Sequence, residues 1–330
     1  RKQTKEVIFI ISIHNLRCRL LQLSPMKIIL IGYCTIILIG TLLLGLPIAT
    51  RNPEDANFFT GFFTATSATC VTGLIQFDTY TYWSPFGQAV ILGLIQIGGI
   101  GFMTLGIFIM VLAKVKIGLI SRSLMQNSVS APQIGGIVKM TRFILRGTFS
   151  IELFGAILLA IYFCPKYGLG KGIWFSIFHS ISAFCNAGFD LMGTAEPFSS
   201  LTAQVGNWYV NLIIMSLIVV GGLGFFVWRD ILNTRLHFTK MQLHTKLVLT
   251  VTAFLIISGS VLLFLIEHGT ASFEGLTLSE QIAASSFQSV SARTAGFNTI
   301  DLAALTESGR FLIIILMFIG ASPGSTAGGI

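Results

Sequence analysis

One short sequence pattern returns three times along this chain, each time between two long apolar runs. Each copy is a small, hydroxyl-rich stretch that ends in a glycine followed by a large apolar residue, and the glycines lie roughly 110 residues apart. Because the flanking runs recur with the pattern, the sequence predicts several related units that meet around one axis. The three copies are residues 64–74, 179–189 and 288–297.

The apolar runs define the class of protein. The chain is 53% apolar and only 10% charged, whereas a soluble domain carries about 25% charged residues. Its longer runs reach, or nearly reach, the ~20 residues that a membrane-crossing helix needs. We therefore predict an all-α integral membrane protein. The longer runs lie near 27–48, 87–113, 143–163, 207–228, 247–266 and from 309 onward, and the shorter ones near 57–69, 173–184 and 279–291.

Each short run lies between two long ones, which predicts a repeated unit of crossing helix, short re-entrant helix and crossing helix (an M1–P-loop–M2 hairpin). Non-helical backbone at membrane depth persists only where it packs in protein or borders water. The alternative is that the short runs lie flat on the outer bilayer surface. The predicted segments are an N-terminal segment 1–26, a first unit 27–113, a linker 114–142, a second unit 143–228, a linker 229–246 and a third unit 247–330.

The placement of charge predicts the orientation. Basic residues concentrate in 1–27, 114–146 and 229–246, whereas the segments that hold the repeated pattern carry most of the acidic residues. By the positive-inside rule the N-terminus and the linkers are cytoplasmic, and the repeated stretches face outward. The formal net charge of +8 is therefore explained by topology, and a nucleic-acid partner is not expected.

The three glycines suggest a backbone site for a cation. Rings of backbone carbonyls replace the hydration shell of potassium in channels, and glycine freely adopts the angles that turn successive carbonyls inward. A short helix that ends just before each glycine directs its partially negative end toward the ion. The predicted site consists of three glycine segments: segment 1 is Val71, Thr72 and Gly73, segment 2 is Asn186, Ala187 and Gly188, and segment 3 is Thr294, Ala295 and Gly296.

The last apolar run changes character in its middle. Its ten residues 320–329 contain four glycines and a proline, and in a helix each Gly costs about 1 kcal/mol and each Pro about 3 kcal/mol relative to Ala. We therefore predict that this crossing breaks within the membrane and forms a gate below the site. The predicted gate residues are Gly320, Ala321, Ser322, Pro323, Gly324, Ser325, Thr326, Ala327, Gly328 and Gly329.

Other notable residues have simpler interpretations. The repeated Gly-Gly-X-Gly-Phe at 98–102 and 221–225 indicates close helix packing, and the five cysteines show no metal-binding spacing. His179 is predicted to be a packed histidine, and Glu152 to lie near enough to the membrane surface to reach it or a basic linker residue. Because a cation beside the ion path would repel the ion, we expect Arg293 to point away, toward Asp301 or Glu280.

The chain resembles the Trk/Ktr/HKT potassium-transporter superfamily at four places, which are Ser67–Leu74, Asn186–Phe189, Arg293–Thr299 and residues 320–329. The similarity covers nearly the whole chain and is closest to KtrB-type membrane subunits. The resemblance implies four potassium-channel-like hairpins in one chain, with the 320–329 loop as an intramembrane gate. The repeat period and the end at Ile330 predict that the natural chain continues into a fourth unit.

The resemblance also implies partners and a location. We expect a multi-pass protein of the cell (inner) membrane, in contact with lipid, that forms a homodimer on a cytoplasmic nucleotide-binding ring of the KtrA or TrkA type. The chain itself is expected to hold no cofactor, with K⁺ as the transported ion at the glycine segments and any nucleotide on the partner.

Two other classes of function remain open. A sodium- or proton-coupled transporter should show broken helices and paired intramembrane charges, of which the sequence shows the first. A non-conducting scaffold subunit would not need glycine at three matched positions. An enzyme is not expected, because the outward stretches contain no nucleophile–base pair and no metal cluster.

Overall fold

The computed structural model describes residues 25–101, 104, 137–194 and 196–329. The described part is helical, with one isolated bridge between Thr50 and Trp83. The predicted segment 1–26 and most of the linker 114–142 lie outside the described residues. The helices are α1 Pro25–Leu44, α2 Phe58–Thr69, α3 Thr79–Tyr82, α4 Pro85–Ile100, α5 Ile137–Tyr167, α6 Leu169–Phe184, α7 Trp208–Gly222, α8 Phe225–Thr234, α9 Leu243–Glu267, α10 Leu278–Ser291 and α11 Glu307–Ile319.

Two of the described helices are long and apolar enough to cross a membrane by themselves. They lie within α5, over Lys139–Tyr167, and in α9, over Leu243–Glu267. The pair α7 and α8 passes the same test together but is bent by 96°. Large apolar side chains remain exposed along α1, α9 and α11, including Leu30, Phe254 and Phe318, as expected for surfaces that face lipid.

Helices α2, α6 and α10 correspond to the short apolar runs of the sequence and are called the short helices here. Helix α2 has 12 residues, α6 has 16 and α10 has 14, so they are roughly 18–24 Å long, less than the ~30 Å hydrocarbon core. Their starts follow from local chemistry: the Asn57 side chain accepts from Phe59 N, Gly168 with φ 84° separates α5 from α6, and Thr277 forms a capping box. The sequence therefore sets where each helix begins.

The core of the molecule lies around these short helices. The largest fully buried side chains include Phe178 and Phe184 of α6, Phe287 of α10, and the two phenylalanines after segments 2 and 3, Phe189 and Phe297. In contrast, Leu74, which follows segment 1, is 63% exposed. Segments 2 and 3 are thus each followed by a buried aromatic ring, whereas segment 1 is followed by an exposed leucine.

Helices α4, α7 and α11 each end within two residues of a glycine with positive φ. Helix α4 ends at Ile100 before Gly101 (φ 84°), α7 ends at Gly222 shortly before Gly224 (φ 90°), and α11 ends before Gly320 (φ 65°). The sequence predicted only the last of these breaks. The run 207–228 is two helices rather than one crossing helix.

The glycines that open the Gly-Gly-X-Gly-Phe motifs permit close packing. A Cβ at Gly98 would lie 2.1 Å from the carbonyl oxygen of Thr69, and one at Gly221 would lie 2.0 Å from that of Phe184. Both oxygens belong to the last residue of a short helix. The packing role expected of these motifs therefore agrees with the structure, and the packing is against the helices that precede segments 1 and 2.

Candidate functional site

The three glycine segments share a backbone conformation. The first residue of each has positive φ: 56° at Val71, 54° at Asn186 and 73° at Thr294. The glycine two positions later also has positive φ, with values of 74°, 71° and 86° at Gly73, Gly188 and Gly296. A β-strand sends successive carbonyls to opposite sides. The alternation seen here breaks that pattern and allows consecutive carbonyls to share one side.

The segments pack against one another in chain order. A Cβ at Gly73 would lie 2.6 Å from the carbonyl oxygen of Ala187, and a Cβ at Gly188 would lie 2.6 Å from that of Ala295. Real Cβ atoms essentially never approach within 3.0 Å. Segment 2 therefore lies between segments 1 and 3, and glycine is required at these positions by contact as well as by φ.

Serines of the short helices fix the residues beside the glycines. Ser182 Oγ donates to the carbonyl oxygen of Phe189 at 2.6 Å, and Ser291 Oγ donates to that of Phe297. Ser67 Oγ instead pairs with Thr72 Oγ1 at 2.9 Å. The hydroxyl groups that recur in the sequence thus hold each short helix to its own segment.

Segment 3 follows a tighter turn than the other two, since Ser291 precedes its glycine by five residues whereas Ser67 and Ser182 precede theirs by six. The carbonyls of Ser67 and Ser182 accept from the amides of Thr72 and Ala187, five residues on, at 2.9 and 2.8 Å. The Ser291 carbonyl accepts from Ala295, four residues on, at 2.9 Å. Segment 3 is therefore reached with one residue fewer.

His179 and Asn186 hold segment 2 from behind. His179 Nδ1 lies 2.7 Å from the carbonyl of Phe175 and must donate to it, so Nε2 accepts from Leu191 N at 3.3 Å. In the amide orientation that satisfies both of its polar atoms, Asn186 donates to the carbonyls of Ala183 and Ile218. His179 is a packed histidine, as expected, and the described residues contain no cluster of three or more His, Cys, Asp or Glu side chains that could hold a metal ion.

Glu152 lies deeper than the sequence suggested. It is buried, and its carboxylate accepts from Gln96 Nε2 at 2.9 and 3.0 Å. Ser180 Oγ donates to its backbone carbonyl at 2.6 Å, and Cys185 Sγ lies 3.8 Å from the carboxylate. The expectation that Glu152 reaches the surface or a basic linker residue is wrong. It joins α4, α5 and α6 behind segment 2.

Arg293 points away from the glycine segments, but not to the expected partners. Its Nε donates to the carbonyl oxygen of Gly320 at 2.9 Å, and Nη2 donates to Thr252 Oγ1 at 3.3 Å. Glu280 is engaged in the capping box with Thr277, and Asp301 accepts from Ala303 N. The predicted clamp to Asp301 or Glu280 is therefore wrong, because both carboxylates already cap their own helices.

Residues 320–329 form a loop that folds back on itself. Ala321 N donates to the carbonyl of Gly328 at 2.9 Å and closes the base of the loop. Gly328 N donates to Thr294 Oγ1 at 3.2 Å, so the loop reaches segment 3 directly. The predicted break after residue 319 is present in the structure.

A cavity of about 900 Å³ lies beside the loop and the glycine segments. Its lining includes segment 1, Thr294 and Gly296, and residues 324–328 of the loop. The loop and two of the three glycine segments therefore line one common space.

Two carboxylates lie just beyond segments 1 and 2. Asp78 accepts from Thr81 N at 2.8 Å and from Phe198 N at 3.0 Å, and Asp190 accepts from Met192 N at 2.9 Å. Burial raises the pKa of Asp190 to about 6, and the nearby Asp78 charge raises that pKa further. These groups, absent from the predicted site, order the backbone that follows segments 1 and 2.

The short buried helices and the broken membrane helices define an α-helical membrane transport protein, and known proteins agree with that class. The family model described as "TrkH: Cation transport protein" matches residues 27–330. The chain therefore belongs to the TrkH family of cation transport proteins, which are transporters rather than enzymes. The family resemblance inferred from the sequence is confirmed.

Individual relatives support the same assignment. The chain is 42% identical over 309 residues to the potassium/sodium uptake protein NtpJ of Enterococcus hirae, covering 94% of this chain and 67% of that protein. It is 42% identical over 310 residues to the Ktr system potassium uptake protein B of Bacillus subtilis, covering 94% and 68%. The chain thus spans about two thirds of the length of these relatives.

A solved structure shares the fold. The crystal structure of the potassium transporter TrkH from Vibrio parahaemolyticus matches with a TM-score of 0.60 at 18% identity, over 90% of this chain and 58% of that one. This match confirms the predicted all-α membrane class.

Proposed function

We propose that the protein carries out potassium uptake across the cell membrane, and that the three glycine segments form part of its selectivity filter. The observation that carries the proposal is the alternation of φ at 71–73, 186–188 and 294–296. Three backbone segments that present carbonyls toward a common axis can replace the hydration shell of a bare cation. The names of the relatives, which refer to potassium or to potassium and sodium uptake, support the same ion.

The electrostatics of the site favour a cation without a charged side chain. None of the nine residues of the segments is charged, and the helices α2, α6 and α10 end two or three residues before them. The partial negative charge at each helix end therefore lies beside the ion position. The cation beside segment 3, Arg293, is turned toward Gly320.

The 320–329 loop is the proposed gate. It lines the same cavity as segment 1, Thr294 and Gly296, and its backbone contains the residues least suited to helix. A loop of this kind blocks the path in one conformation and leaves it open in another, provided that the two differ by a few kcal/mol.

The basic surface around the α8–α9 connection is the proposed docking site for a cytoplasmic partner. The residues Arg229, Arg235 and Lys240, around the connection between α8 and α9, are exposed, and such a basic surface suits the docking of an acidic partner. We expect a homodimer in the cell membrane with a cytoplasmic N-terminus. Its regulatory ring carries the nucleotide, while this chain carries only the transported K⁺.

The experiment compares Gly73→Ser with Gly93→Ser in the full chain, by K⁺ uptake and Na⁺ competition in a potassium-uptake-deficient host. A side chain at Gly73 meets the Ala187 carbonyl and an unfavourable φ, whereas one at Gly93 meets nothing within 4 Å. We expect the K⁺/Na⁺ ratio to fall about tenfold in Gly73→Ser, the effect of one to two kcal/mol of backbone strain. An unchanged ratio in a well-expressed Gly73→Ser protein contradicts the filter.

A further inference from the structure

The 320–329 loop rests on the break between α7 and α8. The break frees the carbonyls of Gly221 and Gly222, which accept from Thr326 N at 3.3 Å and from Ser322 N at 3.1 Å. Ser322 Oγ also donates to Gly222 O at 2.7 Å. In return Phe225 N donates to the carbonyl of Gly324 at 2.9 Å. The backbone groups left without helical partners at one break are thus satisfied by the other.

One side chain of the loop reaches beyond this break. Thr326, which is buried, donates from Oγ1 to the carbonyl oxygen of Phe184 at 2.8 Å. Phe184 is the last residue of α6, two positions before segment 2. The end of that helix would otherwise leave this carbonyl without an intrahelical partner. Thr326 therefore supplies part of the support for segment 2.

A second connection runs from segment 3 to the start of the loop. Arg293 directly precedes Thr294, is 8% exposed, and donates to the carbonyl of Gly320, where α11 ends. A buried charge is costly unless hydrogen bonds compensate for it. Both acceptors found for this guanidinium, Gly320 O and Thr252 Oγ1, are neutral. When Gly320 moves, the guanidinium must follow it or lose its backbone acceptor.

We propose that Thr326 and Arg293 are positioning residues that couple the loop to segments 2 and 3, so that displacement of the loop also changes ion discrimination. The proposal rests on the proposed function of the loop as a gate. Opening removes the hydroxyl donor from Phe184 and moves the acceptor of Arg293, and both changes occur within two residues of a glycine segment. Opening and loss of selectivity are then one event.

The test compares two hydroxyl groups of the loop in the full chain. Thr326→Val removes the donor to Phe184 with little change of shape, whereas Ser322→Ala removes a donor that bonds only to the α7–α8 break. We expect both variants to raise the initial rate of K⁺ uptake up to about fivefold, the effect of one ordinary hydrogen bond. Both variants should lower the K⁺/Na⁺ ratio as the loop opens, but Thr326→Val should lower it several-fold further at a matched uptake rate, because it also removes the donor to Phe184, and Thr326→Ser should restore it.

Two further variants separate the possible outcomes. Arg293→Lys keeps the charge but loses the planar donor to Gly320, and it should also lower the ratio. If Thr326→Val raises uptake with an unchanged ratio, the coupling is overturned while the gate stands. If Thr326→Val changes neither quantity, the coupling is again overturned. If deletion of residues 322–325 also leaves uptake unchanged, the proposed gate itself fails.

Discussion

The breaks after α7 and after α11 both begin at glycines, yet the chain continues from them in different ways. After Gly224 it resumes as α8 at 96° to α7, whereas after Gly320 it forms a loop that returns to its own base. The residues that follow explain the difference. Trp228 packs on Phe184 and Phe225 at ring-centroid distances of 5.5 and 5.2 Å, and this packing stabilises the bend. Residues 321–329, in contrast, contain no large apolar side chain.

A glycine break does not by itself produce a mobile loop. The break after α7 is anchored by aromatic packing. The chain after α11 lacks such packing, and its amide groups donate to the carbonyls that the first break leaves free. The anchored break is predicted to stay fixed while the loop moves. Three variants each perturb either the loop or the anchored break.

The largest effect is expected from shortening the loop. Deletion of 322–325 removes Ser322, its donor to Gly222, and the Gly324 carbonyl that accepts from Phe225. With several hydrogen bonds of about 1 kcal/mol each lost, K⁺ uptake should rise about tenfold or more and depend less on a cytoplasmic partner. Uptake of the purified, reconstituted variant with and without that partner measures this. Wild-type rate and wild-type dependence together would remove the gate from the proposal.

A smaller effect is expected from straining the anchored break. Gly224 has φ 90° and ψ 147°, a region open almost only to glycine, and a Cβ there would lie 2.9 Å from the Pro323 carbonyl. Gly224→Ala should therefore cost about 2 kcal/mol and lower the melting temperature in detergent. Gly222→Ala is the matched control, because its Cβ would meet the Ala321 side chain at 3.3 Å and the Asn186 amide at 3.5 Å, and no backbone atom within 4 Å. Equal losses in the two variants would contradict the role given to Gly224.

The smallest effect is expected from one indole nitrogen. Trp228 Nε1 donates at 2.9 Å to the carbonyl of Val220, near the end of α7. Trp228→Phe keeps an aromatic ring in the cluster and removes the donor, so thermal stability should fall by about 1 kcal/mol. Trp208→Phe serves as the control, since its Nε1 bonds to Ser279 at a more exposed site. A larger loss in the Trp208 variant would show that the break does not need this bond.

Much of the fold could be predicted from residues that are close to one another in the sequence. The short runs 57–69, 173–184 and 279–291 end within a residue of the observed α2, α6 and α10, because the helix caps and the glycines that follow are encoded beside them. The break before 320–329 was equally visible, since proline and glycine act on the residues next to them. The sharp bend at Gly224 was not, because a similar glycine motif also serves ordinary helix packing.

The partners of the buried charges could not be read from the sequence. Arg293 bonds to a residue 27 positions away and Glu152 to one 56 positions away. No local pattern distinguishes a carbonyl of the 320–329 loop from a carboxylate close in sequence, such as Asp301. Only the packed arrangement of α9, α10 and α11 shows that the charge of Arg293 belongs to the loop.

The exchange of backbone hydrogen bonds between the two breaks gives the protein an internal reporter. The amide protons of Phe225, Ser322 and Thr326 are held by carbonyls about a hundred residues away in the sequence, so they become accessible to solvent deuterium only when the loop leaves the break. Their exchange rates would report how often that separation occurs at rest, in the absence of any ion gradient. The thermodynamics of opening could thus be measured on a protein that is transporting nothing.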